Sequence, residues 1–130
     1  MARENVEIVR DQYAATNERD FARAMSHYAE DVEMVVHHGL RGGVFKGRRA
    51  VGDWFGDWFA TFDRDAHFDV EETTALDDDS VLLVANHHAT GRKSGVEVSE
   101  QVVWLYRLSG GKITSVEGYE TRGEALEALR

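Results

Sequence analysis

Between Arg48 and Phe62 the large apolar residues fall at Val51, Trp54, Phe55, Trp58, Phe59 and Phe62. Steps of three, one, three, one and three place all six on one side of a helix, an aromatic stripe of the kind that forms a core. Beyond it the period changes. Two strand-like arms, Ser80 to Thr90 and Val96 to Leu108, are joined at Gly91-Arg92-Lys93-Ser94-Gly95, which is hairpin chemistry. Ribbons this long curl as strand twist accumulates, so their concave side becomes a core or a pocket. Alternation decides what faces that side. It predicts Val81, Leu83, Ala85 and His87 inward from the first arm, with Glu100, Val102, Trp104, Tyr106 and Leu108 from the second. Leu82, Val84, Val103 and Leu105 fall on the opposite face, where they form a candidate homodimer surface.

The remaining pattern supplies the other elements. Val6, Val9, Tyr13 and Ala14 predict a helix over 4–17, with polar Gln12 and Thr16 on the edge of its stripe. Asp20 caps a second helix, Phe21 to Tyr28. Asp31 to His38 reads as a strand with Val32, Met34, Val36 and, by parity, His38 inward, and Val44 to Lys46 as its short return. Ala66 to Leu76 and Ile113 to Glu120 are further strands, and Thr121 caps a closing helix, Gly123 to Leu129. The order gives one α+β domain over 1–130.

Charge narrows the partners. With 24 acidic against 15 basic residues the net charge is -9, which disfavours nucleic acid and anionic membrane surfaces. No cysteine is present, so disulfides and thiolate chemistry are excluded. No apolar run approaches the roughly 18 residues of a membrane span, and Met1-Ala2-Arg3-Glu4 does not open a secretory signal, so a cytoplasmic location is expected.

Several runs carry a family resemblance: Glu4-Asn5-Val6-Glu7-Ile8-Val9 through Tyr28-Ala29-Glu30-Asp31-Val32-Glu33, Val44-Phe45-Lys46-Gly47-Arg48, Gly95-Val96-Glu97-Val98, and Gly110-Gly111-Lys112-Ile113. Together they resemble the nuclear-transport-factor-two-like superfamily, in particular its SnoaL-like group, relatives of ketosteroid isomerase and polyketide cyclases. The resemblance implies a curved antiparallel sheet wrapped around N-terminal helices, a cone-shaped, cystatin-like α+β barrel with a pocket at its open end, and frequent dimers. It implies less about chemistry, because fold does not fix activity. The isomerases' tyrosine, general-base aspartate and protonated aspartate align with Gln12, Val36 and Trp104, and the cyclases' acid with Gly118. All four positions depart from the pattern.

The chemistry left for the hollow is acid–base. His87 and Glu100 form the candidate catalytic pair, since partial burial moves both kinds of group toward neutrality, and Gln12 is a candidate oxyanion donor. Pairing about residue 93 places His87 opposite position 99, so Glu100 needs a bulge to meet it. Thr16, His38, Trp54, Trp58, Phe62 and Trp104 are candidate substrate-binding residues around an apolar, cyclic ligand. The plainer alternative is a satisfied core histidine with Glu100 in water. No cofactor or metal is expected: His37-His38 and His87-His88 are neighbours that point to opposite strand faces, and Asp77-Asp78-Asp79 lacks the spacing of a calcium loop. Two readings follow, a cofactor-free isomerase, cyclase, dehydratase or hydrolase, and a non-catalytic ligand-binding or dimerisation module.

Overall fold

A computed structural model describes residues 2–37, 39 and 42–129. The expected strand at His38 therefore ends outside the described residues. Elements run α1 (Ala2–Asn17), α2 (Phe21–Ser26), β1 (Tyr28–Val36), β2 (Gly43–Lys46), α3 (Arg48–Ala60), β3 (His67–Ala75), β4 (Ser80–Thr90), β5 (Glu97–Ser109), β6 (Lys112–Tyr119) and α4 (Arg122–Glu127). Asp20 does cap α2, accepting from Arg23 N at 3.2 Å, but the helix stops at Ser26. Tyr28, predicted at its end, instead opens β1 and is fully buried, while Phe21 is 39% exposed. Strand pairing outcompetes the last helical turn because Tyr28 has a partner across the sheet in Ile113.

The six strands form one open sheet in the order β2-β1-β6-β5-β4-β3. The sheet is mixed, a departure from the antiparallel expectation: β1 and β6 run parallel and the other pairs antiparallel. Register shifts between Tyr28 and Glu33, Val70 and Glu72, and Arg107 and Leu108 bend the strands where the sheet curls around α1 and α3. Gly47, at φ 94°, turns the chain from β2 into α3, a backbone conformation that favours glycine. Arg48 then donates from Nε and Nη2 to the Tyr28 carbonyl at 3.1 and 2.7 Å, fastening the start of α3 to β1.

The inner face of the sheet carries the main core. Val81, Leu83, Ala85, Trp104, Tyr106 and Leu108 pack there against Val9, Tyr13, Val51, Phe55 and Trp58 from the helices. The parity read from the two arms therefore holds. The outer face differs from expectation. Leu82, Val84, Val103 and Leu105 are at most 3% exposed, buried with Leu76, Tyr119, Ala125 and Leu126. The chain's own closing helix packs on this patch, with Thr121 capping it by accepting from Glu124 N at 3.1 Å. Side chains already buried within one chain present no surface for a second copy, which removes these four residues as the dimer face. Leu126 and Ala125 come from a segment too short for its apolar side to stand out in the sequence, which is why its role was not read there.

Candidate functional site

At the wide end of the cone the core leaves a cavity of about 280 Å³ between α3 and the inner sheet face. Helix α3 contributes Trp54 and Trp58, one turn apart, and β5 contributes Glu100, Val102 and Trp104 at alternate positions. Val36, Gly118 and Tyr119 close the side toward β1 and β6. The indoles stand at different angles: Trp54 meets Trp58 at 5.3 Å and 52°, and Trp104 edge-on at 5.8 Å and 90°. Such tilted and edge-to-face contacts are favourable arrangements for aromatic rings.

Gly118 is what lets Trp104 lie where it does. The two residues are cross-strand partners, and a Cβ at position 118 would fall 2.8 Å from the Trp104 ring. A glycine inside a strand often marks such a close approach, and that signal was available in the sequence. Trp104 and Gly118 are thus one packed unit, an indole lying against a bare backbone.

His87 and Glu100 are directly paired in the β4/β5 register. The hairpin axis falls between Lys93 and Ser94, since Thr90 pairs with Glu97, and no bulge is needed. The two side chains nevertheless occupy different surroundings. Glu100 is exposed at the cavity edge, with no hydrogen bond or ion pair among the described residues. His87 is 0% exposed and boxed by Trp58, Phe62 and Phe68 at ring distances of 4.6, 4.9 and 4.9 Å. Neither of its ring nitrogens has a hydrogen-bond partner among the described residues. Burial, reinforced by the charges of His88, His67 and Arg19, pulls its pKa down to about 4, so it is a neutral imidazole near pH 7. Trp58 touches His87 and also lines the cavity, so it stands between them. Phe62 packs on His87 and Trp58, and is not part of the cavity lining.

Gln12 and Thr16 do not line the cavity either. Both are 2% exposed and bonded to each other: Gln12 Nε2 donates to Thr16 Oγ1 at 3.2 Å, and Thr16 Oγ1 donates to the Gln12 carbonyl at 2.7 Å. Tyr106 donates its hydroxyl to Gln12 Oε1 at 3.3 Å. The amide's acceptor is thereby engaged, deep among Tyr13, Tyr28 and Tyr106, whose phenols burial holds well above their usual pKa. His38, the remaining candidate, lies outside the described residues.

Two polar clusters on the outside were not singled out in the sequence. His37 Nε2 lies 3.1 Å from Glu117 Oε2, to which Tyr119 donates its hydroxyl at 2.7 Å, and the His37 ring stacks on Tyr119 at 4.7 Å. Burial works to raise the Glu117 pKa, but these two hydrogen bonds outweigh it and hold the carboxyl below its usual value. On β3, β4 and β5, Asp69, His88 and Ser99 form a row, with His88 Nε2 3.1 Å from Asp69 Oδ2 and His88 Nδ1 3.3 Å from Ser99 Oγ. This row is open to solvent, with the His88 and Asp69 side chains 39% and 63% exposed. Among the described residues no group of three or more His, Asp or Glu is placed to hold a metal ion.

Comparison with known proteins fits this geometry. A model of the SnoaL-like domain matches residues 9–116. No match is found among curated proteins. Among solved structures, an NTF2-like protein from Burkholderia thailandensis is 23% identical with a TM-score of 0.80, covering 97% of each chain. A Catenulispora acidiphila protein of ketosteroid isomerase-like fold, solved in complex with trimethylamine, is 21% identical with a TM-score of 0.76, over 93% of this chain and 90% of that one. A Mycobacterium tuberculosis protein solved with estradiol-17β-hemisuccinate is also 21% identical, with a TM-score of 0.77, over 92% of this chain and 95% of that one. With the family model spanning most of its length and the cone-shaped fold in place, the chain belongs to the SnoaL-like domain family.

Proposed function

We propose that the protein binds a compact, largely apolar small molecule in the cavity between α3 and β5. The observation that carries this is the wall itself: three indoles around about 280 Å³ of space, with a single carboxylate at the edge. That volume lies near the low end of the roughly 300–1,000 Å³ usual for ligand sites, and an apolar wall with few polar groups is their usual composition. Two similar structures were solved with small molecules, trimethylamine and a steroid ester, which supports the same use here.

Acid–base turnover of an apolar cyclic compound is the second reading, favoured by the direct register of His87 with Glu100. In it Glu100 takes a proton from the ligand, and His87 acts only once Trp58 has moved off it. The sealed box around His87 makes binding the stronger reading, because a base must come within hydrogen-bond reach of its proton.

A thermal-shift screen of polycyclic ketones, terpenoids and epoxides tests both readings. A stabilising hit that Trp104→Ala abolishes locates the ligand. Consumption of that hit, followed by chromatography and lost in both Glu100→Ala and His87→Ala, establishes turnover. A hit unaffected by Trp104→Ala removes this cavity as its site.

A further inference from the structure

We infer that the cavity selects organic cations, namely a tertiary or quaternary ammonium group carried on a compact apolar body. This rests on the small-molecule reading above and specifies its ligand class. The faces of indole and phenol rings are electron-rich, and tryptophan attracts a cation most strongly. Trp54, Trp58 and Trp104 present such rings to one hollow. Their differing tilts let an ammonium group meet several rings at once, as a flat stack would not.

The polar groups point the same way. Glu100 is the one carboxylate of the lining, no lysine or arginine accompanies it among the described lining residues, and it has no cationic partner among the described residues. An anionic ligand would meet this charge inside a chain of net charge -9. Two nearby donors that would favour a carbonyl or carboxylate are withheld: the Tyr119 hydroxyl is engaged by Glu117 on the outer side, and Trp104 Nε1 is sealed from solvent. A primary ammonium carries three N–H donors and needs acceptors for each, whereas a tertiary or quaternary one needs at most one, which is what a single carboxylate among rings supplies.

The test compares benzyltrimethylammonium with neopentylbenzene, its uncharged carbon isostere, by tryptophan fluorescence titration of the full chain. The cation is expected to bind about ten-fold more tightly, the preference that a partly desolvated cation–aromatic contact supports. Glu100→Gln should cut that ratio at least five-fold. Glu97→Gln, which removes the same charge from the opposite face of the same strand, should leave it unchanged. Equal affinities in the unaltered protein overturn the inference while leaving small-molecule binding intact. An equal loss in both variants overturns it too, because the preference would then come from net charge. Binding of neither probe, alongside neutral hits from the thermal-shift screen, refutes the cation reading alone; failure of both experiments refutes the pocket as well.

Discussion

The two ends of the cone are built from the same materials and reach opposite results. At the narrow end Val9, Tyr13, Tyr28, Val32 and Tyr106 are at most 1% exposed, and the polar intruders Gln12 and Thr16 are bonded to each other, with Gln12 also accepting from Tyr106. At the wide end equally large rings, Trp54, Trp58 and Trp104, fail to close the space and leave a cavity. A polar residue interrupting an apolar stripe therefore does not by itself mark a pocket. What marks one is a polar group that finds no partner among the described residues, as with Glu100.

The contrast can be broken most severely at the narrow end. Tyr106→Ala should cost on the order of 3–5 kcal/mol in chemical denaturation, from lost packing and an orphaned Gln12 acceptor. Next comes His87, which lies between the two ends. Its pKa falls from 6.5 to about 4 on folding, so the unfolded chain binds more protons between those values. The neutral imidazole's contribution is intact above about pH 6.5 and is lost as pH falls toward 4, by about 3 kcal/mol in all. His87→Leu should flatten that slope in denaturation curves across the window. Asp11 acts below it: hydrogen bonds from Arg23 and then His27 hold its pKa at about 2, so its loss begins only near pH 3.8.

Gly118→Ala probes the wide end. Its new methyl group meets the Trp104 ring and should cost about 1–3 kcal/mol by overpacking, while driving the indole into the cavity and weakening ligand binding in fluorescence titration. The smallest effect is expected from Thr16→Val, which keeps the shape but removes two hydrogen bonds, at a cost of about 1 kcal/mol. Ligand affinity should not change, because Thr16 lies outside the cavity. A large loss of affinity there would mean that the two ends are mechanically continuous.

Much of this was legible in the residues. The 3-1-3-1-3 spacing of α3 and the alternation of β4 and β5 fixed which side chains turn inward, and Ser80–Thr90 came out with its observed bounds. The site was legible only in part. Trp54, Trp58, Trp104 and Glu100 were identified as facing the hollow, yet nothing in the pattern told them from Gln12 or Thr16, which face the same interior at another depth. The outer face misled for a related reason: Leu82, Val84, Val103 and Leu105 have the composition of an interface, and their partner is six helical residues of the same chain.

Periodicity is a local property, set by 3.6 residues per helical turn and two per strand repeat, so the sequence alone determined most of the elements and the inward faces of α3, β4 and β5. Depth along the cone, the sealing of His87 behind Trp58 and the covering of the outer sheet depend on which elements meet. Those contacts arise between residues far apart in the chain, where no periodicity reaches, and only the tertiary structure decided them.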